Sequence, residues 1–156
     1  MILDGKIVAQ KIYENLKNEI EKLSQKPKLS VILVGKNSPS LRYINQKQKW
    51  AEFVWIDFEL INFDDDVSEE TLLSTIEKLN QDESVDGFMV QTPLPKHISL
   101  EKVINAIDAK KDVDGFSPVN QGKIVIWDKT WLPACTPAGA DLPRRCSPRP
   151  RARRGC

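Results

Sequence analysis

The chain has 156 residues, of which 40% are apolar and 29% are charged, and these proportions are typical of a globular protein with one sizeable core. No apolar run is long enough to cross a bilayer, and the first residues lack the apolar stretch of a signal peptide, so the sequence predicts a cytoplasmic protein without a membrane partner. The three cysteines, at positions 135, 146 and 156, have no metal-ligand spacing and form no disulfide framework, so no metal site is expected.

The formal net charge of +1 conceals an uneven use of basic residues. Residues 140–156 contain six Arg, no Lys and a single acid, whereas residues 1–139 contain sixteen Lys and one Arg, Arg42. This change indicates an aberrant Arg/Pro-rich tail after a folded domain of residues 1–139, such as a shifted reading frame or a fusion junction produces, and we expect the tail to be disordered. A basic arm for nucleic acid is the alternative, and it is disfavoured because no aromatic or folded module accompanies the charge.

The first half of the chain carries helix and strand patterns in turn. A one-sided apolar stripe predicts a helix over about residues 5–25, and the apolar run at 29–34 predicts a buried strand. Ser38 followed by Pro39 is a typical helix start, and it predicts a second helix that extends to about residue 53.

The same alternation continues further along the chain. Residues 56–61 predict a second strand, and Ser68 before two acids predicts the beginning of a third helix. Residues 85–90 predict a third strand, the apolar spacing of 100–107 a fourth helix, and residues 123–127 one further short strand. This order predicts an α/β fold of three layers, α/β/α, with a mainly parallel sheet.

Ligands of parallel sheets bind beyond the carboxyl ends of the strands. The predicted topology brings three polar segments to that edge, namely residues 35–47, 91–95 and 110–116. On the second helix Tyr43 and Lys47 are four residues apart, so they lie on one face. Each segment alone is more typical of a solvated surface or a plain turn than of a site, but an aromatic ring, an amine, the amide of Gln91 and a carboxylate together predict a binding site.

Four blocks in these segments form an ordered pattern: Ser40-x-x-Tyr43-x-x-x-Lys47, VQTPLP at 90–95, KDVDG at 111–115 and PACTPxG at 133–139. Over residues 1–139 the chain resembles the bifunctional methylenetetrahydrofolate dehydrogenase/methenyltetrahydrofolate cyclohydrolase family. The resemblance implies an enzyme of one-carbon metabolism that interconverts methylene-, methenyl- and formyltetrahydrofolate. It also implies NADP as the cofactor of the full-length family and, commonly, a homodimer.

The resemblance also implies roles for individual residues. Lys47 falls on the catalytic lysine, Gln91 on its hydrogen-bonding partner, and Tyr43 on the aromatic ring that stacks on the folate. The other substrate-binding positions fall on Ser40, Asp114, Leu94 and Pro95, with Asp114 holding the pterin. These residue types suit the chemistry, because one carboxylate can accept hydrogen bonds from the amino group and the ring N–H of a pterin, and a flat aminobenzoyl group fits an aromatic face.

The pattern breaks at residue 140, where the family continues into a second, Rossmann-type NADP domain with a Gly-rich loop. We therefore expect no NADP binding by this chain, no dehydrogenase activity and at most cyclohydrolase activity. The alternative is a non-catalytic truncated fragment with little or no folate binding, since half of the cleft would be missing. A smaller departure is Trp55, which stands where the family usually has Gly after the second helix. Gly there would form a left-handed helix end, and a bulky residue in that conformation costs about 1 kcal/mol or more, so the departure bears on the helix exit and on the placement of Lys47.

Overall fold

The computed structural model describes residues 5–36 and 38–126, together with residues 128 and 130. The PACTPxG block and the Arg/Pro-rich tail lie outside the described residues. The described elements alternate as predicted through the first seven, in the order α1 (Gly5–Ile20), β1 (Lys28–Val34), α2 (Ser38–Phe53), β2 (Asp57–Phe63), α3 (Glu69–Gln81), β3 (Gly87–Val90), α4 (Leu100–Ala106) and α5 (Pro118–Val125). None of the described helices is long and apolar enough to cross a membrane.

The three strands form a parallel sheet in the order β2-β1-β3, which confirms the predicted strand direction. In the register of the sheet, Val31 in the central strand lies opposite Leu60 on one side and Met89 on the other. A single bridge between Phe88 and Asp112 continues the sheet beyond β3. The loop that contains Asp112 is thereby tied directly to the sheet.

Helices cover both faces of this sheet, so the predicted three-layer α/β/α architecture is confirmed. On one face Ile32 and Phe88 pack against α3 and α4, where Leu72, Ile76 and Val103 are fully buried. On the other face the cluster of buried residues consists of Val31, Leu33, Ile44 and Met89. The continuous apolar run of β1 is explained by this arrangement, because a central parallel strand is buried on both faces.

Helix α1 is shorter than the apolar stripe predicts. It ends at Ile20, and residues 21–25 form turns in which the backbone N–H groups of Lys22 and Leu23 bond three residues back. Leu23 is 55% exposed, so its side chain is not buried and does not stabilise a further turn of the helix. The predicted end at about residue 25 was therefore wrong, because the stripe continues past the last residue that packs.

The predicted short strand at residues 123–127 was also wrong, because residues 123–125 belong to the helix α5. Ser117 caps this helix by accepting a hydrogen bond from the backbone N–H of Asn120, and Pro118 occupies its first turn. Val125 is 78% exposed and pairs with no strand in the described part of the chain. The helix-start residues Ser117 and Pro118 therefore determine the conformation of this segment, in spite of its β-branched composition.

Candidate active site

The carboxyl end of β1 leads directly into the helix that carries the predicted lysine. Gly35 follows β1 with a φ of +82°, and its backbone N–H donates to the carbonyl oxygen of Phe63 at 2.8 Å. A side chain at this position would collide with the carboxylate of Asp65 and would be strained by the positive φ. Glycine at position 35 therefore allows the chain to turn sharply from the sheet into α2.

Helix α2 is anchored on the sheet by the face that carries Ser40 and Ile44, which are 3% and 0% exposed. Lys47, one turn further along, is half-buried. Tyr43 is 67% exposed, so its ring is available at the surface beside that face. The helix therefore presents one buried serine, one half-buried amine and one exposed aromatic ring at the carboxyl edge of the sheet.

Lys47 reaches across from α2 to the end of β3. Its Nζ donates to Oε1 of Gln91 at 3.3 Å and to Sδ of Met89 at 3.0 Å. Gln91 is itself held by two hydrogen bonds. Its side-chain Nε2 donates to the carbonyl oxygen of Thr92 at 2.9 Å, and its backbone N–H donates to the carbonyl oxygen of Ile32 at 2.8 Å. The structure therefore brings Lys47 and Gln91 into contact and holds the glutamine from both ends.

The loop after β3 and the helix α4 enclose a cavity of about 590 Å³. Leu94 and Pro95 lie in its wall, and Asp112 and Asp114 belong to its lining. Most of the other lining side chains are apolar, and several of them come from α4 and the residues that flank it, namely Ile98, Leu100, Val103, Ile104 and Ile107. Such an apolar cavity with a few carboxylates is typical of a small-molecule site.

The predicted site residues thus fall into two adjoining groups. Ser40, Tyr43, Lys47 and Gln91 do not line the cavity, whereas Asp114, Leu94 and Pro95 do. Met89 connects the groups, since it belongs to the cavity lining and its sulfur accepts the Lys47 hydrogen bond. A ligand that extends from the cavity toward α2 would therefore pass this junction.

Asp112 has a structural role that the sequence pattern did not reveal. It is 1% exposed, and its carboxylate accepts hydrogen bonds from the backbone N–H groups of Gly115 at 2.9 Å and Ser117 at 2.7 Å and from Nδ2 of Asn120 at 3.0 Å. Burial alone would raise the pKa of Asp112, but hydrogen bonds from Ser117, Asn120 and Phe116 outweigh it and lower the pKa. Of the two aspartates in the KDVDG block, Asp112 therefore shapes the loop.

The sequence pattern did not identify Met89 as a site residue either. In the sequence it is one apolar residue of a buried strand, and only the approach of α2 to β3 places its sulfur against an amine. Asp112 had a local signal, a glycine three residues later and a Ser-Pro helix start five residues later. Among the described residues, no group of three His, Cys, Asp or Glu is arranged to hold a metal ion.

Comparison with known proteins places the chain in one family. Residues 3–114 match the model of the tetrahydrofolate dehydrogenase/cyclohydrolase catalytic domain. A bifunctional protein FolD from Staphylococcus haemolyticus (strain JCSC1435) is 46% identical over 141 residues, which are 88% of this chain and 49% of the relative.

Solved structures agree with this match. The bifunctional FolD enzyme of Campylobacter jejuni, a methylenetetrahydrofolate dehydrogenase/cyclohydrolase, has a TM-score of 0.91 and 36% identity, covering 93% of this chain and 52% of that one. The Trypanosoma brucei dehydrogenase-cyclohydrolase, complexed with NADP cofactor and inhibitor, has a TM-score of 0.87 and 29% identity, covering 94% of this chain and 51% of that one.

The chain spans about half the length of the curated relatives it matches. The family match covers residues 3–114, and it includes the Lys47–Gln91 pair and the loop after β3 with Leu94 and Pro95. The sequence blocks, the parallel three-layer fold and the family match all agree. The chain therefore belongs to the tetrahydrofolate dehydrogenase/cyclohydrolase catalytic-domain family.

Proposed function

We propose that this chain binds a tetrahydrofolate derivative at the carboxyl edge of its sheet and hydrolyses the methenyl form, with Lys47 as the catalytic residue. The observation that carries the proposal is the position of the Lys47 amine, which is held by Gln91 at the junction with the cavity. The relatives named dehydrogenase/cyclohydrolase support the substrate class. The activity would be a cyclohydrolase of one-carbon metabolism.

The binding groups fit the parts of such a substrate. Asp114 offers a carboxylate at the cavity, and a carboxylate can accept paired hydrogen bonds from a pterin amino group and ring N–H. Leu94 and Pro95 provide an apolar wall for the flat ring system. The exposed ring of Tyr43 offers an aromatic face to the aminobenzoyl group. Ser40, also assigned to substrate binding, lies on the buried face of α2, one turn before Ile44.

The reaction requires little more than a placed water molecule and a proton carrier. Water adds to the cationic bridging carbon and loses a proton, which gives a neutral tetrahedral adduct. The bond from that carbon to the pterin ring nitrogen then breaks, the nitrogen takes up a proton, and the hydroxyl loses its proton to leave a formyl group. Over both steps one proton is released, and in this proposal the Lys47 amine, which contacts Gln91, carries protons between the water and the ring nitrogen.

The described residues do not form a site that fits NADP. A dinucleotide site needs a Gly-rich turn between a strand and a helix, where backbone N–H groups receive the pyrophosphate. The described glycines are isolated from one another, at positions 5, 35, 87, 115 and 122. We therefore assign no hydride transfer to these residues.

The test is turnover of methenyltetrahydrofolate by the whole chain, compared with Lys47→Met and with Lys49→Met as the matched control. Lys49 lies on the same helix but is exposed, so its replacement removes one amine without touching the site. We expect Lys47→Met to lower turnover by a factor of about 100 or more and Lys49→Met to retain it.

Equal turnover in all three folded proteins, at the rate of buffer alone, would refute the proposal. It would support the alternative that this chain is a non-catalytic fragment. Binding of the substrate measured by fluorescence in the Lys47→Met variant separates the two functions, since Lys47 is assigned to proton transfer and Asp114 to binding. Asp114→Asn is accordingly expected to weaken binding about tenfold or more.

A further inference from the structure

We propose that Met89 is a positioning residue for Lys47, and that its thioether sulfur holds the amine in the place from which it acts. This inference rests on the proposed function, because it assigns to Met89 the orientation of the proposed catalytic amine. The carrying observation is the 3.0 Å contact between Lys47 Nζ and Met89 Sδ, which exists beside the contact with Gln91 Oε1.

The surroundings of Met89 make this contact specific. Met89 is 5% exposed and is packed in the cluster of Val31, Leu33 and Ile44 beneath α2. Packing against these residues keeps the sulfur on the side of β3 that faces α2. Lys47 therefore meets a largely buried acceptor, whereas a lysine on a helix surface is otherwise free to move through many rotamers.

The chemistry of the acceptor also matters. A thioether is a weak hydrogen-bond acceptor without charge, so it directs an amine without binding it as firmly as a carboxylate would. Gln91 supplies the second, neutral acceptor. Two neutral acceptors fix the direction of the amine and leave it able to exchange a proton with a substrate, while an ion pair would oppose that exchange.

The experiment uses the whole chain and two replacements of the sulfur. Met89→Leu keeps the size of the side chain, and norleucine incorporation replaces the sulfur by a methylene group with the shape unchanged; the chain has only two methionines, at positions 1 and 89. The matched control is Leu33→Met, a leucine–methionine exchange at a 1% exposed residue of the same cluster.

The primary measurement does not depend on activity. Amines are acetylated with limiting acetic anhydride, and mass spectrometry gives the rate at Lys47 relative to the exposed Lys49. Loss of the sulfur is expected to raise this ratio about threefold, because an amine released from one of two acceptors reaches solvent more often. Leu33→Met is expected to leave the ratio unchanged. An unchanged ratio in Met89→Leu, or a norleucine protein that behaves like the unmodified chain, would overturn the proposal.

Turnover provides the second measurement. We expect Met89→Leu to lower kcat about threefold with an unchanged KM, since the sulfur holds the amine and leucine retains the apolar cavity wall that Met89 contributes. A raised KM with an unchanged kcat would overturn the positioning role. If the unmodified chain shows no turnover, the proposed function fails on its own, and the acetylation ratio still decides whether Met89 holds Lys47.

Discussion

Trp55 adopts a conformation that tryptophan rarely occupies. Its φ is 70°, in the left-handed region, directly after the end of α2. The backbone N–H of Ile56 bonds to Ala51 and that of Trp55 to Glu52, which is the hydrogen-bond pattern of a Schellman helix end. The Nζ atoms of Lys26 and Lys17 lie 4.5 and 5.6 Å from the centre of the Trp55 ring. These two cation–π contacts stabilise the side chain and offset part of the cost of the left-handed backbone.

Comparison of Trp55→Gly with Trp55→Ala isolates the cost of this conformation. Both variants lose the ring and its two lysine contacts, but only Ala retains a Cβ in the left-handed region. We expect the Gly variant to be more stable than the Ala variant by about 1 kcal/mol, as measured by urea unfolding. Equal stabilities would show that Trp55 is not strained, and an Ala variant more stable than Gly would contradict the assigned helix end.

Asp112 is the second residue whose environment leads to a measurable effect. Its pKa is lowered in the folded protein, since the hydrogen bonds from Ser117, Asn120 and Phe116 outweigh the opposing effect of burial. A lowered folded-state pKa contributes stability above the unfolded value of about 3.9, and this contribution is lost as the pH falls through the folded-state pKa.

Asp112→Asn is therefore expected to lower the free energy of unfolding by about 2–3 kcal/mol at pH 7. The difference from the unmodified chain should shrink below about pH 4, because protonation of Asp112 removes the same charge. Asp66→Asn, at an exposed turn position, is the control and should change stability by less than about 0.5 kcal/mol. A difference that stays constant down to pH 3 would contradict the assigned role of the Asp112 carboxylate. Urea unfolding at several pH values supplies these data.

At the scale of the elements, the first residue of β3 lies close against the loop that follows α4. At Gly87 an added Cβ would collide with Cγ1 of Val113 and would lie 3.4 Å from the carbonyl oxygen of Lys111. Close to this point the loop joins the sheet, as the backbone N–H of Phe88 donates to Lys111 at 2.9 Å. Glycine at the start of β3 thus permits the loop that bears Asp112 and Asp114 to approach the strand.

Gly87→Ala is expected to destabilise the protein by about 1–3 kcal/mol through this overlap. Because the Val113 side chain is 38% exposed, Val113→Ala alone should cost little, and in the double variant it should restore most of the loss. The coupling is measured as a double-mutant cycle by urea unfolding. Additive effects of the two substitutions would show that the contact does not limit the approach of the loop.

The sequence predicted elements best where local pattern and tertiary burial agree. β1 was clear because both faces of a central strand are apolar, and α3 because Ser68 accepts from the backbone N–H of Thr71 at the predicted first turn. α5 was missed because the prediction rested on the β-branched run at 124–126 and did not take the Ser117-Pro118 helix start into account. The Met89–Lys47 contact had no sequence signal, since it joins residues 42 apart through the packing of α2 on the sheet.

In the whole molecule, the two faces of the sheet serve different purposes. The larger cluster, under α3 and α4, ends at the cavity that Leu94 borders, while the smaller cluster under α2 ends at the Lys47–Met89 contact. The candidate site lies where both clusters reach the carboxyl edge of β3. Stability and site geometry therefore depend on the same strand, and substitutions in β3 should affect both.

The surface around α5 is the other feature of the whole molecule. Phe116, Val119, Val125 and Ile126 are 48%, 57%, 78% and 72% exposed. Four large apolar side chains within eleven residues exceed the scattered exposure that is normal for a monomer surface. This surface, the α5 apolar surface, is expected to promote self-association.

The double variant Val125→Lys/Ile126→Lys should therefore reduce self-association of the chain without lowering its stability. Both side chains are more than two-thirds exposed, so their replacement removes apolar surface from solvent contact and little packing. The control is Ile7→Lys/Leu23→Lys, which adds the same charge at two exposed apolar positions of the α1 region, 56% and 55% exposed. Light scattering over a concentration series should show a lower apparent mass for the α5 variant alone. An equal decrease in both variants would mean that added net charge, and not the α5 apolar surface, governs association.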